Sequence, residues 1–162
     1  RDYQLVYSEE SGPVVDVLGG KLTTFRRLDQ ACLDCFKHQW PQVVGDSSGN
    51  LKLHGAESLP ADLSKYLDQL STRFNDIPSS LLSRWLSTYG CHIEILLEMF
   101  VSVGSLGQYF GGELYQVEVD YLIQHEWAKT VDDILWRRTK QVLYLKSNQV
   151  KKLTHYMATR LN

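Results

Sequence analysis

The 162-residue sequence has only three cysteines, Cys32, Cys35 and Cys91, and four prolines. So sparse and odd a cysteine set excludes a disulfide-stapled small domain and is the pattern of a reducing compartment. No apolar run approaches the roughly 20 residues of a spanning helix, and no charged start leads into an apolar stretch as in a secretory signal. The expectation is a chain that does not insert itself in a membrane. Charge of one sign is not in excess either, because seventeen Lys and Arg face nineteen Asp and Glu. Without a global positive field, nucleic acid is not an expected partner and any anionic surface would have to meet a local patch. An initiator Met is missing too: Arg1 stands directly ahead of the alternating pattern DYQLVYSE, which reads as a strand already under way in a longer polypeptide. What is present is 43% apolar residues, enough for a real core in a soluble chain of this length.

Residues Arg1 to Gly20 read as β structure. Leu5 and Tyr7 alternate with Gln4 and Val6, SEESGP supplies turn chemistry, and VVDVL follows as a second strand. A lone two-stranded hairpin is marginal in water, so these strands are expected to be the edge of a larger sheet. Phe25, Leu28, Ala31, Cys32, Cys35 and Phe36 then recur at three and four, giving an amphipathic helix over Thr23 to Trp40, with Thr23 or Thr24 as its N-cap. Pro41 to Pro60, with GDSSGN at its centre, reads as a linker. Beyond it everything reads helical, with helices expected over 62–74, 78–89, 93–103, 114–127, 131–144 and 147–161. The fold class is therefore mainly α: a bundle of about six helices preceded by a short hairpin and helix, with segments 1–40, 41–59 and 60–162.

Four features carry candidate chemistry. In GGKLTT the glycines allow positive φ and close approach of backbone, and a helix starting just afterwards points free N–H groups outward. Lys21 adds a full charge, so the combination suits an anion or an oxygen gaining electron density, although a sharp strand-to-helix turn explains the residues too. CLDC has the spacing of half a metal site with His38 nearby. No second pair follows, and burial on one helix face accounts for Cys32 and Cys35, so no metal is expected. Within EVDYLIQHEWAKTVDDILWRRTK, Asp133 and Arg137 stand four apart as a helical ion pair, with Thr130 capping the helix that contains them. Finally, Arg137, Arg138, Lys140, Lys146, Lys151, Lys152 and Arg160 give a basic closing third that reads either as a solvated face or as a surface for anionic lipid.

Two segments together become specific. GGKLTTFR at Gly19 to Arg26 resembles the GGK-x-TTYR element of the aerobic, FAD-dependent glycerol-3-phosphate dehydrogenases, and Tyr121 to Lys140 resembles the signature of that family's C-terminal helical domain. RDYQL and SRWLSTYG match in the right order. Phe25 stands where tyrosine is usual, and Leu53-His54-Gly55-Ala56 replaces a Leu-Pro-Gly-Gly turn. The resemblance covers nearly the whole chain but not the family's dinucleotide fingerprint or most of its substrate pocket.

What the resemblance implies is an oxidoreductase in which glycerol 3-phosphate becomes dihydroxyacetone phosphate, FAD takes the hydride and quinone takes the electrons. Gly20, Lys21, Leu22 and Thr23 would lie at the pyrimidine edge of the flavin, Lys21 would be the catalytic cation and touch substrate, and Arg1 would bind the substrate phosphate. Residues 1–40 would then be the end of the FAD/substrate domain. The implied location is the cytoplasmic face of the inner membrane, held peripherally. The chain alone is expected to be inactive without the phosphate-cradling loop, and its exposed strand edge invites a homodimer. The rival reading is an autonomous helical interaction or membrane-docking module.

Overall fold

The computed structural model describes residues 3–42 and 48–161. The chain divides into two compact units, Arg1–Lys52 and Leu53–Asn162. Among the described residues there are six α-helices and two small antiparallel sheets, so the chain is mainly α as expected.

In the first unit, β1 (Gln4–Ser8) pairs antiparallel with β2 (Val14–Leu18), in register from Gln4 opposite Leu18 to Ser8 opposite Val14. Gly19 and Gly20 follow at φ 82° and 113°, values that glycine adopts freely and other residues rarely do. A single 3-10 turn, Leu22–Thr24, then leads into α1 (Phe25–Cys35). The turn that follows the helix leans on the hairpin. Tyr7 meets Phe36 edge to face at 5.8 Å, and the Gln39 amide donates to the Glu9 carboxylate at 3.0 Å. None of this unit's described residues is buried, and Val14, Val17, Leu18, Leu22 and Phe25 are exposed.

The second unit holds the core. Its helices are α2 (Leu63–Arg73), α3 (Ser79–Tyr89), α4 (Ile93–Val103), α5 (Gln116–His125) and α6 (Ser147–Leu161). Asp62 caps α2 by accepting the Lys65 N–H at 3.0 Å, and Gly104 ends α4 in the left-handed conformation. The spacing of Leu81, Leu82, Trp85, Leu86 and Tyr89 drives one face of α3 inward, where it meets Ile93, Leu96 and Leu97 of α4. At about 25 cal/mol per Å² of apolar surface, each fully buried leucine of this set contributes about 1.5–3 kcal/mol. Ser79–Val103 is also long and apolar enough by composition to cross a membrane. Here that stretch breaks at Gly90 (φ 59°); Leu81, Leu82, Trp85, Ile93, Leu96 and Leu97 are buried in the core, whereas Val101 and Val103 are exposed.

Three elements differ from the sequence expectation. The helix expected over Thr23 to Trp40 is α-helical only from Phe25 to Cys35 and gives way to turns over 36–39. Before α5 the chain makes a small hairpin, β3 (Tyr109–Gly111) with β4 (Leu114–Tyr115), which buries Phe110 and Leu114. The helix expected over 131–144 is instead a π-helical turn, Asp133–Arg138, followed by a 3-10 turn, Gln141–Leu143. Thr139 shows the cause, because its N–H and its hydroxyl both donate to the Ile134 carbonyl five residues back, at 3.0 and 2.8 Å. Lys140 then turns left-handed (φ 58°), and its ammonium donates to the Trp136 carbonyl at 2.6 Å, closing the turn. Ile134 and Leu135 stay buried through this widening while Trp136 points outward.

Candidate functional site

The Gly19–Thr24 stretch is built from three local decisions. Two glycines at positive φ reverse the chain out of β2, Lys21 is extended (φ −126°, ψ 147°), and the backbone closes at once into the 3-10 turn and α1. Thr24 precedes α1 as expected of a cap residue, but its hydroxyl donates backward to the Lys21 carbonyl at 2.9 Å. Neither the 3-10 turn nor α1 therefore has a side-chain cap. The expectation of a capping threonine is corrected on this point: the hydroxyl braces the glycine-lysine turn, the Thr24 and Phe25 N–H groups bond the Lys21 and Leu22 carbonyls, and the Leu22 and Thr23 N–H groups stand ahead of them.

Gly20, Lys21, Leu22 and Thr23 are all exposed. None of the ion pairs among the described residues uses Lys21. A β-carbon on Gly20 would meet Leu28 and Tyr3 only at ordinary contact distances of 3.7 and 3.9 Å. The glycine is required by its backbone angle rather than by crowding. A cleft of about 320 Å³ lies in the same unit, lined by Tyr3, Arg26, Arg27, Gln30, Ala31, Asp34 and Gly49. Arg26 donates to the Gly49 carbonyl there at 3.2 Å. Arg1 lies outside the described residues.

Cys32 and Cys35 are half-buried on α1, and the Cys35 thiol donates to the Ala31 carbonyl at 3.3 Å. Burial, with Cys35 and Asp29 as smaller causes, pushes the Cys32 thiol up.

Two polar clamps brace the second unit, the second of them within the helical signature. Arg84 of α3 holds the fully buried Glu118 of α5 through both carboxylate oxygens, at 2.8 and 2.5 Å, and also donates to the Glu113 carbonyl at 3.0 Å. The Tyr89 hydroxyl donates to Glu118 at 2.6 Å. Burial and that carboxylate push the tyrosine well above its usual value, which keeps it a donor. The second clamp is Asp133. It accepts from the N–H groups of Lys129 and Thr130 at 3.0 and 2.8 Å and from Arg137 at 2.8 Å, while Thr130 accepts the Asp133 N–H at 3.2 Å. These bonds, the backbone ones foremost, hold its carboxyl far below the usual carboxylate range. The ion pair and threonine cap expected from the sequence are both present. They serve structure, since both carboxylates are spent on fixed partners.

A model of the C-terminal domain of alpha-glycerophosphate oxidase matches residues 47–162. The chain belongs to this family. It is 35% identical over 97% of its length to the aerobic glycerol-3-phosphate dehydrogenase of Escherichia coli K12, of which it covers 32%. It is similarly 36% identical over 97% of its length to the glycerol-3-phosphate dehydrogenase of Pseudomonas aeruginosa, covering 31% of it. The D-erythritol 1-phosphate dehydrogenase of Brucella abortus is 37% identical over 90% of the chain, which covers 29% of that protein. The chain thus spans about a third of the length of these relatives, and the resemblance read from GGKLTTFR and DDILWRRTK agrees with them.

Proposed function

We propose that this chain works as the C-terminal third of an FAD-dependent dehydrogenase that oxidises glycerol 3-phosphate to dihydroxyacetone phosphate. On this reading residues 1–40 close the FAD/substrate domain, 41–59 link it onward, and 60–162 form the helical domain. The observation that carries it is the exposed, uncapped helix start behind Gly19-Gly20, with Lys21 beside it. Relatives named as glycerol-3-phosphate dehydrogenases support the substrate.

The residues fit the flavin edge they are proposed to meet. Positive-φ glycines let a planar ring approach the backbone, and the N–H groups of Leu22 and Thr23 offer donors. Lys21 supplies a cation. FAD, when bound, supplies the hydride-accepting chemistry. This chain's part is to orient the ring edge with Gly20, Leu22 and Thr23, and to stabilise with Lys21 the negative charge that gathers there. Lys21 also faces the substrate on this reading, and Arg1, a planar guanidinium, binds its phosphate. Quinone is the proposed electron acceptor.

The test is anaerobic mixing of glycerol 3-phosphate with a full-length enzyme carrying this chain. Bleaching of the oxidised-flavin band with one dihydroxyacetone phosphate formed per flavin supports the reading. Bound flavin that D-erythritol 1-phosphate bleaches and glycerol 3-phosphate does not would replace the substrate. An enzyme without bound flavin would overturn the reading.

A second proposal concerns location, the cytoplasmic face of the inner membrane. It is favoured by Trp127, Trp136 and Leu143, exposed at 81%, 55% and 74%, with Arg137 and Lys140 nearby in sequence. Sedimentation with anionic liposomes that weakens steeply as salt is raised supports it. Sedimentation equal with neutral liposomes, or none, counts against it.

A further inference from the structure

We propose that His54, Glu57 and His92 form a binding site for a zinc-class divalent ion. The ligand atoms of the three lie within 4.8 Å of one another. His54 Nδ1 is 3.1 Å from one Glu57 oxygen and His92 Nε2 is 3.8 Å from the other, while the two imidazole rings sit edge to face at 4.2 Å. Two imidazole nitrogens and a carboxylate are a donor set that tetrahedral zinc takes, leaving one position open to water.

The fold holds this set in place from both sides. His54 and Glu57 come from the loop that begins the second unit, and His92 from the corner between α3 and α4, 35 residues away. The two meet because Cys91 N–H donates to the Gly55 carbonyl at 2.7 Å. Gly90 makes that approach: at φ 59° it brings the chains so close that a β-carbon would stand 2.0 Å from the Gly55 oxygen. Glu57 is aimed by the Gly55 N–H at 2.7 Å and by the Cys91 thiol, which donates to it at 3.1 Å. Outer hydrogen bonds of this kind orient a metal-bound carboxylate.

The experiment is a titration of the full 162-residue chain with Zn²⁺ in metal-free buffer against a chromophoric chelator. One equivalent is expected to bind with micromolar or tighter affinity and to raise Tm. His54→Ala and Glu57→Gln are each expected to weaken binding at least about tenfold, and His155→Ala, on the exposed face of α6, to leave it unchanged. His54 is an exposed loop residue whose removal opens no cavity, and circular dichroism checks that each variant is folded. Failure to bind one equivalent would overturn the site. So would equal binding in His54→Ala, or an equal loss in His155→Ala.

Discussion

At the scale of single residues, Glu118 shows how much one buried charge depends on its partners. With no exposure and both oxygens held by Arg84, the carboxylate has no water to fall back on. Arg84→Met should destabilise the second unit by about 3–5 kcal/mol, because it strands the charge. The double change Arg84→Met with Glu118→Met should cost less than that single one, as measured by urea unfolding of the whole chain. Asp133 makes the opposite point about pH. Its folded carboxyl is held below its unfolded value, so its contribution is complete above the ordinary carboxylate pKa of about 4 and is lost as pH falls toward the folded value. Thermal unfolding followed from pH 6 to pH 3 should therefore show a shallower acid loss in Asp133→Asn than in the unaltered chain.

At the scale of elements, two glycines with similar φ should behave differently. Gly104 ends α4 with open space around it, so Gly104→Ala should cost only about 1–2 kcal/mol for the left-handed angle. Gly90 stands against the Gly55 carbonyl, and Gly90→Ala must push two backbones apart. It should lose well over that amount, or fail to fold, in the same denaturant measurement. α1 and α2 were legible in the sequence because their apolar residues recur at helical spacing, α3 by its proline start and its stop at Gly90, and α4 by its nearly continuous apolar run. The π-helical turn was not, since its period differs from an α-helix only through a local choice by Thr139 to bond Ile134. The small hairpin had a signal in YFGGELY, where two glycines stand between aromatic and apolar residues, but three- and two-residue strands fall below what alternation can reveal. The His54, Glu57 and His92 cluster joins residues distant in sequence, so spacing alone gave no hint of it.

At the scale of the whole molecule, the two units differ in how they are held. The second has a continuous core, whereas the described residues of the first bury none of their side chains fully. Native-state hydrogen exchange should find β1, β2 and α1 exchanging far sooner than α3 and α4. The GGKLTT turn was legible as a turn with an exposed cation, and the resemblance gave it a ligand. Chemistry alone left a plain turn as the alternative, because exposed glycines beside a lysine also make ordinary strand-to-helix turns. The central claim is that Lys21 and the uncapped helix start form one wall of that pocket. It is tested most directly by stopped-flow reduction of bound flavin by glycerol 3-phosphate in a full-length enzyme carrying Lys21→Ala. A fall of about 100-fold or more in the reduction rate, with flavin still bound, is the predicted result. Reduction at the unaltered rate would contradict it.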